Sequence, residues 1–145
     1  MNQEKSVIPI CGLALSSFLA LGCFFEVKDG DRHRPRPSSM GSLVMEWTVD
    51  DRREPRDCAR FGGGRADLEL IVYRGNVEVA REYAPCEDFS LTVDLPPDEY
   101  RGIATLVGRS DDRPVTTSAN LEGIDIVRGF NLHREVDFPA TSFLF

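Results

Sequence analysis

From Gly41 to the end of the chain, apolar and polar residues alternate in short runs, the pattern of strands half buried against a core. Leu43, Met45, Trp47 and Val49 fall on one face of the first run, with Glu46, Thr48 and Asp50 opposite. Leu68, Leu70 and Val72 then oppose Asp67, Glu69 and Tyr73. After the turn dipeptide Gly75-Asn76, the residues Val77, Val79 and Tyr83 alternate with Glu78 and Glu82, which predicts a β-hairpin. Phe89, Leu91, Val93 and Leu95 against Ser90, Thr92 and Asp94 make the clearest strand of the chain. Pro96-Pro97-Asp98-Glu99 turns into Tyr100–Val107, and Ser110-Asp111-Asp112-Arg113-Pro114 is a further turn. Val115–Leu121 and Ile124–Val127 read as two extended pieces. A last strand places Phe130, Leu132, Val136 and Phe138 inward and Asn131, His133, Glu135 and Asp137 outward. Arg134 falls on its apolar face, so it is expected near an edge or paired, because an unpaired buried charge is costly. No window carries a helical period. Seven or eight short strands with regularly spaced turns predict an all-β sandwich over residues 41–145. Asp50–Arg65 is the longest irregular stretch.

The chain before Gly41 reads differently. Met1-Asn2-Gln3-Glu4-Lys5 is weakly positive, and no residue from Ser6 to Leu21 is charged. That run is shorter than the roughly 20 apolar residues of a membrane span, and Pro9 and Gly12 interrupt it. It ends in Ala20-Leu21-Gly22-Cys23, which resembles the lipobox of bacterial lipoproteins, with Ala20 where Leu is usual and Leu19 one place early. The resemblance implies cleavage after a signal peptide of residues 1–22 and attachment of diacylglycerol to Cys23. The other readings are a secreted protein cut near Ala20 and an uncleaved anchor. Residues 23–40 then form the lipidated Cys and a disordered tether. Asp29–Ser39 has almost no apolar content and two prolines, too little burial to offset ordering. Arg32, His33, Arg34 and Arg36 in that segment suit anionic headgroups or, more simply, a solvated spacer. Phe24 follows the Cys where an Asp would retain an enteric-type lipoprotein in the inner membrane, so the outer membrane is the expected address.

The lipobox changes the cysteine count. Of Cys11, Cys23, Cys58 and Cys86, the first is discarded with the signal peptide and the second carries lipid. Cys58 and Cys86 remain, an even pair in an oxidising compartment, which predicts a disulfide. With no nearby His the pair makes neither a zinc site nor a catalytic dyad.

Composition narrows the partners. The chain has 17 basic and 24 acidic residues, a net charge of −7 that loss of Glu4 and Lys5 with residues 1–22 leaves unchanged. Phosphate contacts need clustered Lys and Arg, so nucleic acid is an unsuitable partner.

The stretch Leu95-Pro96-Pro97-Asp98-Glu99-Tyr100 and on to Leu106 resembles the Pro-Pro corner of prealbumin-like, carboxypeptidase-regulatory-type and Cna-B-type sandwiches, with Asp98 where Gly is usual. The resemblance implies an Ig-like or prealbumin-like antiparallel sandwich whose Tyr packs over the corner. Asp tolerates a left-handed turn better than most side chains. The arrangement from Gly41 to Phe145 is also similar to small bacterial envelope lipoproteins, and that likeness implies no activity.

Candidate chemistry is sparse. His33 and His133 are isolated, which gives no metal-ligand spacing. No Gly-x-Ser-x-Gly elbow occurs, and Gly62-Gly63-Gly64-Arg65 lacks the Lys-Ser/Thr of a phosphate loop. The acidic pairs Asp50-Asp51, Glu87-Asp88 and Asp111-Asp112 sit at strand ends without the graded ligands of a calcium loop. No metal or cofactor is expected. The one stretch of unusual content is the loop Asp50–Arg65, where Arg52, Arg53, Arg56, Arg60 and Arg65 meet Asp50, Asp51, Glu54 and Asp57. Long loops on sandwiches often carry binding, so these arginines are the candidate binding loop. The plainer reading is mutual pairing on a disulfide-tied loop. The leading expectation is a non-catalytic envelope module that binds a protein or glycan or serves an assembly. The alternatives are a small-ligand carrier of transthyretin-like type and a hydrolase using a carboxylate pair.

Overall fold

The computed structural model describes residues 39–60 and 65–144, and for Arg60 the backbone alone. The export segment, Cys23, the tether up to residue 38 and Gly62-Gly63-Gly64 lie outside the described residues. Those described belong to a compact unit of residues 35–145. Among them, no helix is long and apolar enough to cross a membrane.

Among the described residues, seven strands form two facing sheets, an all-β sandwich. They are β1 (Gly41–Val49), β2 (Ala66–Arg74), β3 (Val77–Pro85), β4 (Ser90–Leu95), β5 (Asp98–Gly108), β6 (Ala119–Ile126) and β7 (Asn131–Phe138). One sheet has the order β4-β1-β7 and the other β3-β2-β5-β6. All pairs are antiparallel except β1 with β7, which run parallel from Ser42↔Asn131 to Val49↔Phe138. β1 and β2 follow the expected alternation, with Leu43, Met45, Trp47, Val49, Leu68, Leu70 and Val72 all turned inward and buried. Phe138, Leu106 and Ile124 complete the centre of the core.

Three features depart from the expected pattern, each for a local reason. In β3, Val77, Val79 and Tyr83 are exposed rather than inward. Val72 pairs with Ala80 but Tyr73 with Glu78, so Val79 is an extra residue; past this one-residue bulge Ala80 and Ala84 take the inward face and Tyr83 the outward one, while Val77, paired with Arg74, is exposed at the start of the strand. The pieces Val115–Leu121 and Ile124–Val127 are not separate strands. β6 runs through Ala119–Ile126, with a register slip opposite Tyr100/Gly102 and Gly123 at φ +64°, so its buried residues Leu121, Ile124 and Ile126 break the period of two. Within the irregular loop, Pro55–Arg60 forms one short helix, α1. Six residues are too few to display a helical period. Pro55 opens it, where a missing N–H costs nothing.

Arg134 lies on the edge strand β7, as expected, and donates to the carbonyls of His133 and Gly123 at 3.2 and 2.7 Å. Phe130 falls before the strand and is largely exposed, against the inward face expected for it.

The strand directions give the sandwich two unlike poles. At one, the chain enters at Met40 beside the β2–β3 turn, the Pro96-Pro97 corner and the β6–β7 turn. The chain's entry at this proximal pole is tightly packed: a Cβ on Gly41 would stand 2.3 Å from the Val127 carbonyl oxygen, so only glycine fits. The opposite, distal pole holds the loop from Asp50 to α1, the 3-10 turn Cys86–Asp88, the turn after β5 and the chain's last described residues.

Candidate functional site

The distal pole is built from the ends of β1, β2 and β5. β1 ends in a tight turn in which Val49 and Arg52 exchange backbone hydrogen bonds at 2.9 and 3.1 Å. Its two central residues, Asp50 and Asp51, both take positive φ, 54° and 60°, as a twist-matched two-residue turn requires. Asp is one of the few side chains that accepts this conformation. The pair is there for the backbone, and Asp137 caps it by accepting from Asp51 N and Thr48 Oγ1 at 2.9 and 2.8 Å.

α1 follows, and its inward residues Asp57 and Cys58 are buried. Cys58 is joined by a disulfide to Cys86, with Cα atoms 5.8 Å apart. The link crosses from the loop after β1 to the 3-10 turn that leads into β4. Beneath it, the indole Nε1–H of Trp47 donates to the Cys86 carbonyl at 2.9 Å, and the Trp47 ring packs 6.4 Å from that of Phe89. Phe89 itself sits at φ 53°, a left-handed conformation that closes the 3-10 turn.

The arginines of the candidate loop divide into two groups. Arg52 bridges Asp50 and Asp57 at 3.4 and 3.3 Å, and Arg53 reaches Glu46 and Glu135 at 3.5 and 3.6 Å. These two fasten the loop to β1, β7 and α1. Arg56 points away, its side chain 85 % exposed, with Glu54 at 3.5 Å. Arg65 is exposed as well. Arg56 and Arg65, with Pro55, Ala59, Cys58 and Glu87, line a shallow cleft of about 310 Å³ over the disulfide. The side chain of Arg60 lies outside the described residues.

An ion-pair clasp that local sequence does not announce sits beside this cleft. Arg109, just past β5, donates to Asp67 at 2.6 Å, to both oxygens of Glu87 at 3.2 and 3.1 Å, and to the Ala66 carbonyl at 3.3 Å. Glu87 is held below its ordinary value chiefly by its own backbone amide; burial opposes this, and Arg109 adds to the lowering. Arg109 is pushed up, first by Asp67. The clasp joins residues 42 and 22 positions apart, so only the folded chain brings them together.

On the outer face of the four-stranded sheet, Arg81 pairs with Glu69 and, at 2.9 Å, with Glu78, while the Tyr83 hydroxyl donates to Glu69 at 2.7 Å. Arg81 holds Glu78 below its ordinary value. Of the other acidic pairs, Asp112 takes φ 53° in the turn after β5, where its N–H donates to the Gly108 carbonyl at 2.8 Å. His133 is exposed on β7. Among the described residues no cluster of three or more His, Cys, Asp or Glu is placed to hold a metal ion. A larger groove of about 550 Å³ opens between the edge strands β3 and β4, with Met40, Val79, Val93, Leu95 and Tyr100 among its walls. Compared with known proteins, the chain matches no protein-family model and no curated relative.

Proposed function

We propose that this chain is an exported lipoprotein, attached through Cys23 to the outer membrane of a bacterial envelope, whose sandwich is a non-catalytic module that binds an envelope protein or glycan. The single observation that carries the reading is the Cys58–Cys86 disulfide in a domain that follows an apolar run ending in Gly22-Cys23. Disulfides persist in oxidising compartments, and lipid on Cys23 leaves no odd thiol in the folded domain. The Tyr100 hydroxyl, which donates to the Pro96 carbonyl at 2.8 Å, supports the likeness to prealbumin-like and carboxypeptidase-regulatory-like sandwiches. The binding face under this reading is the cleft of Arg56, Arg65 and Glu87. Its two exposed guanidinium groups suit carboxylate or sulfate groups on a partner.

Intact-mass measurement on the membrane fraction tests the first half. The expected species starts at Cys23, carries diacylglycerol and is two hydrogens lighter for one disulfide. A free Cys58 thiol, or an unmodified Cys23, overturns it. For the second half, a photo-crosslinking residue in place of Arg56 is expected to capture one recurrent envelope partner in cells, and capture that Arg65→Glu abolishes. Recovery of lipid-processing enzymes alone overturns the binding role.

A second reading, a small-ligand carrier, draws support from the groove between β3 and β4, whose volume falls within the roughly 300–1,000 Å³ of ligand pockets. Native mass spectrometry of the purified chain separates the two: a carrier retains a bound small molecule that Val93→Arg expels, whereas a display module flies empty.

A further inference from the structure

We propose that the proximal pole is a membrane-facing surface, on which Val127 and Phe130 of the β6–β7 turn seat into the headgroup region of the bilayer. The proposal rests on the reading of Cys23 as the lipid-bearing residue.

The turn has the chemistry of an interfacial tip. Phe130 is 68 % exposed and Val127 49 %, and together with Leu132, and with Asp125 and Asn131 at its polar side, they wall a shallow depression of about 290 Å³. Val77, 64 % exposed, stands at the same pole where β3 begins, so three of the six large exposed hydrophobic residues among the described residues gather at this one end. Apolar side chains alone do not make a membrane contact, because backbone groups that lose water there must already be paired. In this turn the amides of Gly129 and Phe130 and the carbonyls of Val127 and Phe130 are. Phe130 N donates to the Val127 carbonyl at 3.1 Å, the Phe130 carbonyl accepts from Ser42 N at 3.0 Å, and Gly129 N donates to the Met40 carbonyl at 2.9 Å. Arg128, at the tip, has a stem long enough to lie along the apolar layer while its guanidinium stays with the headgroups.

The position of the turn in the chain names the occupant. Its hydrogen bond to Met40 places it directly beside the residue where the chain coming from Cys23 enters the domain. Cys23 precedes Ser39 by 16 residues. At no more than about 3.5 Å each they span at most about 55 Å. A strand of the length of β1 is about 30 Å long. Bringing the distal pole to the bilayer would therefore use more than half of that reach in running back along the sandwich. The proximal pole needs none of it, and a weak apolar contact suffices where the attachment already keeps the local concentration high. In this orientation the disulfide and the cleft of Arg56 and Arg65 face away from the membrane, open to a partner. The net charge of −7 disfavours a strongly anionic leaflet, so the bilayer chemistry is zwitterionic headgroup and acyl boundary.

The test uses the full lipidated chain in phosphatidylcholine vesicles with ordinary or brominated acyl chains. Trp47 is the protein's one tryptophan and is fully buried, so the unmodified chain supplies an unquenched baseline. Phe130→Trp adds an exposed indole at the tip, and Arg56→Trp adds one at the distal pole. The expected result is a blue shift and loss of emission in brominated vesicles for Phe130→Trp, with Arg56→Trp unaffected. Intact mass on the same samples reports the state of Cys23. Lipidated Cys23 with no quenching at position 130 overturns the docking and leaves the lipoprotein reading standing. Equal quenching at both positions overturns the orientation. Phe130→Trp chains that cross-link to each other through this turn, with no quenching, replace the bilayer with a second copy. An unmodified Cys23 overturns the lipoprotein reading, and the docking with it.

Discussion

Single side chains at the distal pole carry more than one duty, and this fixes what their replacement costs. Trp47 fills the core and also donates its indole N–H to the Cys86 carbonyl. Trp47→Phe keeps most of the apolar volume, removes the donor and leaves a small void. The carbonyl retains the Phe89 N–H at 3.3 Å, so it is not orphaned. The expected loss is therefore modest, about 1–2 kcal/mol, read as a lower urea midpoint by far-ultraviolet circular dichroism. An unchanged midpoint would sever the link claimed between indole and disulfide turn. Glu87 acts through charge. Its own amide and Arg109 hold its carboxyl below the ordinary value of 4.5. A carboxylate whose folded value is depressed stabilises fully above its unfolded value and loses that contribution as pH falls through the folded one. Stability is thus expected to decline as pH drops below 4.5, and Glu87→Gln to flatten that part of the curve. If denaturation midpoints of the two chains fall in parallel through that window, Glu87 is not a source of the acid sensitivity.

At the scale of elements, the chain could be read wherever a strand keeps its phase and misread wherever a bulge shifts it. β1 with β4, and β2 with β5, pair without interruption, and the residues Leu43, Leu68 and Val93 are inward as their spacing requires. In β3 and β6 one extra residue exchanges the two faces, and nothing in a short alternation marks where that residue sits. The parallel pairing of β1 with β7, and the Arg109 clasp, depend on contacts across the whole sequence that no local pattern contains. The Pro96-Pro97 corner was legible because a motif names it, yet one detail differs. Asp98 does not take the left-handed turn that Gly at this position implies; it opens β5, and its Oδ1 accepts from Glu99 N at 2.8 Å. Burial raises the Tyr100 phenol above its ordinary value, and its hydroxyl closes the corner on Pro96. Because this corner carries the chain from one sheet to the other, Tyr100→Phe is expected to cost about 1 kcal/mol and to speed amide exchange at the start of β5 more than in β1. Uniform acceleration throughout the sandwich would mean that the hydroxyl has no special hold on the corner.

For the molecule as a whole, the disulfide is the largest identifiable contribution from one bond. Cys58 and Cys86 lie 28 positions apart, and in the chain-entropy model closing a loop of that size in the unfolded state is worth about 3–4 kcal/mol. Domains of this size are stable by roughly 5–15 kcal/mol, so the link is a substantial part of the total. Each kcal/mol shifts the melting temperature of a 100-residue domain by about 4–5 °C, and reduction is expected to lower it by about 15 °C. Two perturbations separate the sources of that loss. Reduction removes the link and keeps both sulfur atoms in place, so it reports the link alone. Cys58→Ala with Cys86→Ala also empties space that is almost fully buried, 2 % and 0 % exposed, and is expected to melt lower still. Paired thermal melts of the oxidised, reduced and double-alanine chains order the three states. If reduction leaves the melting temperature where it was, the sandwich is held by its core alone, and the bond serves only to fasten α1 over the distal pole. If the double variant matches the reduced chain, the loop has collapsed into the vacated space, and the cleft of Arg56 and Arg65 has changed shape with it.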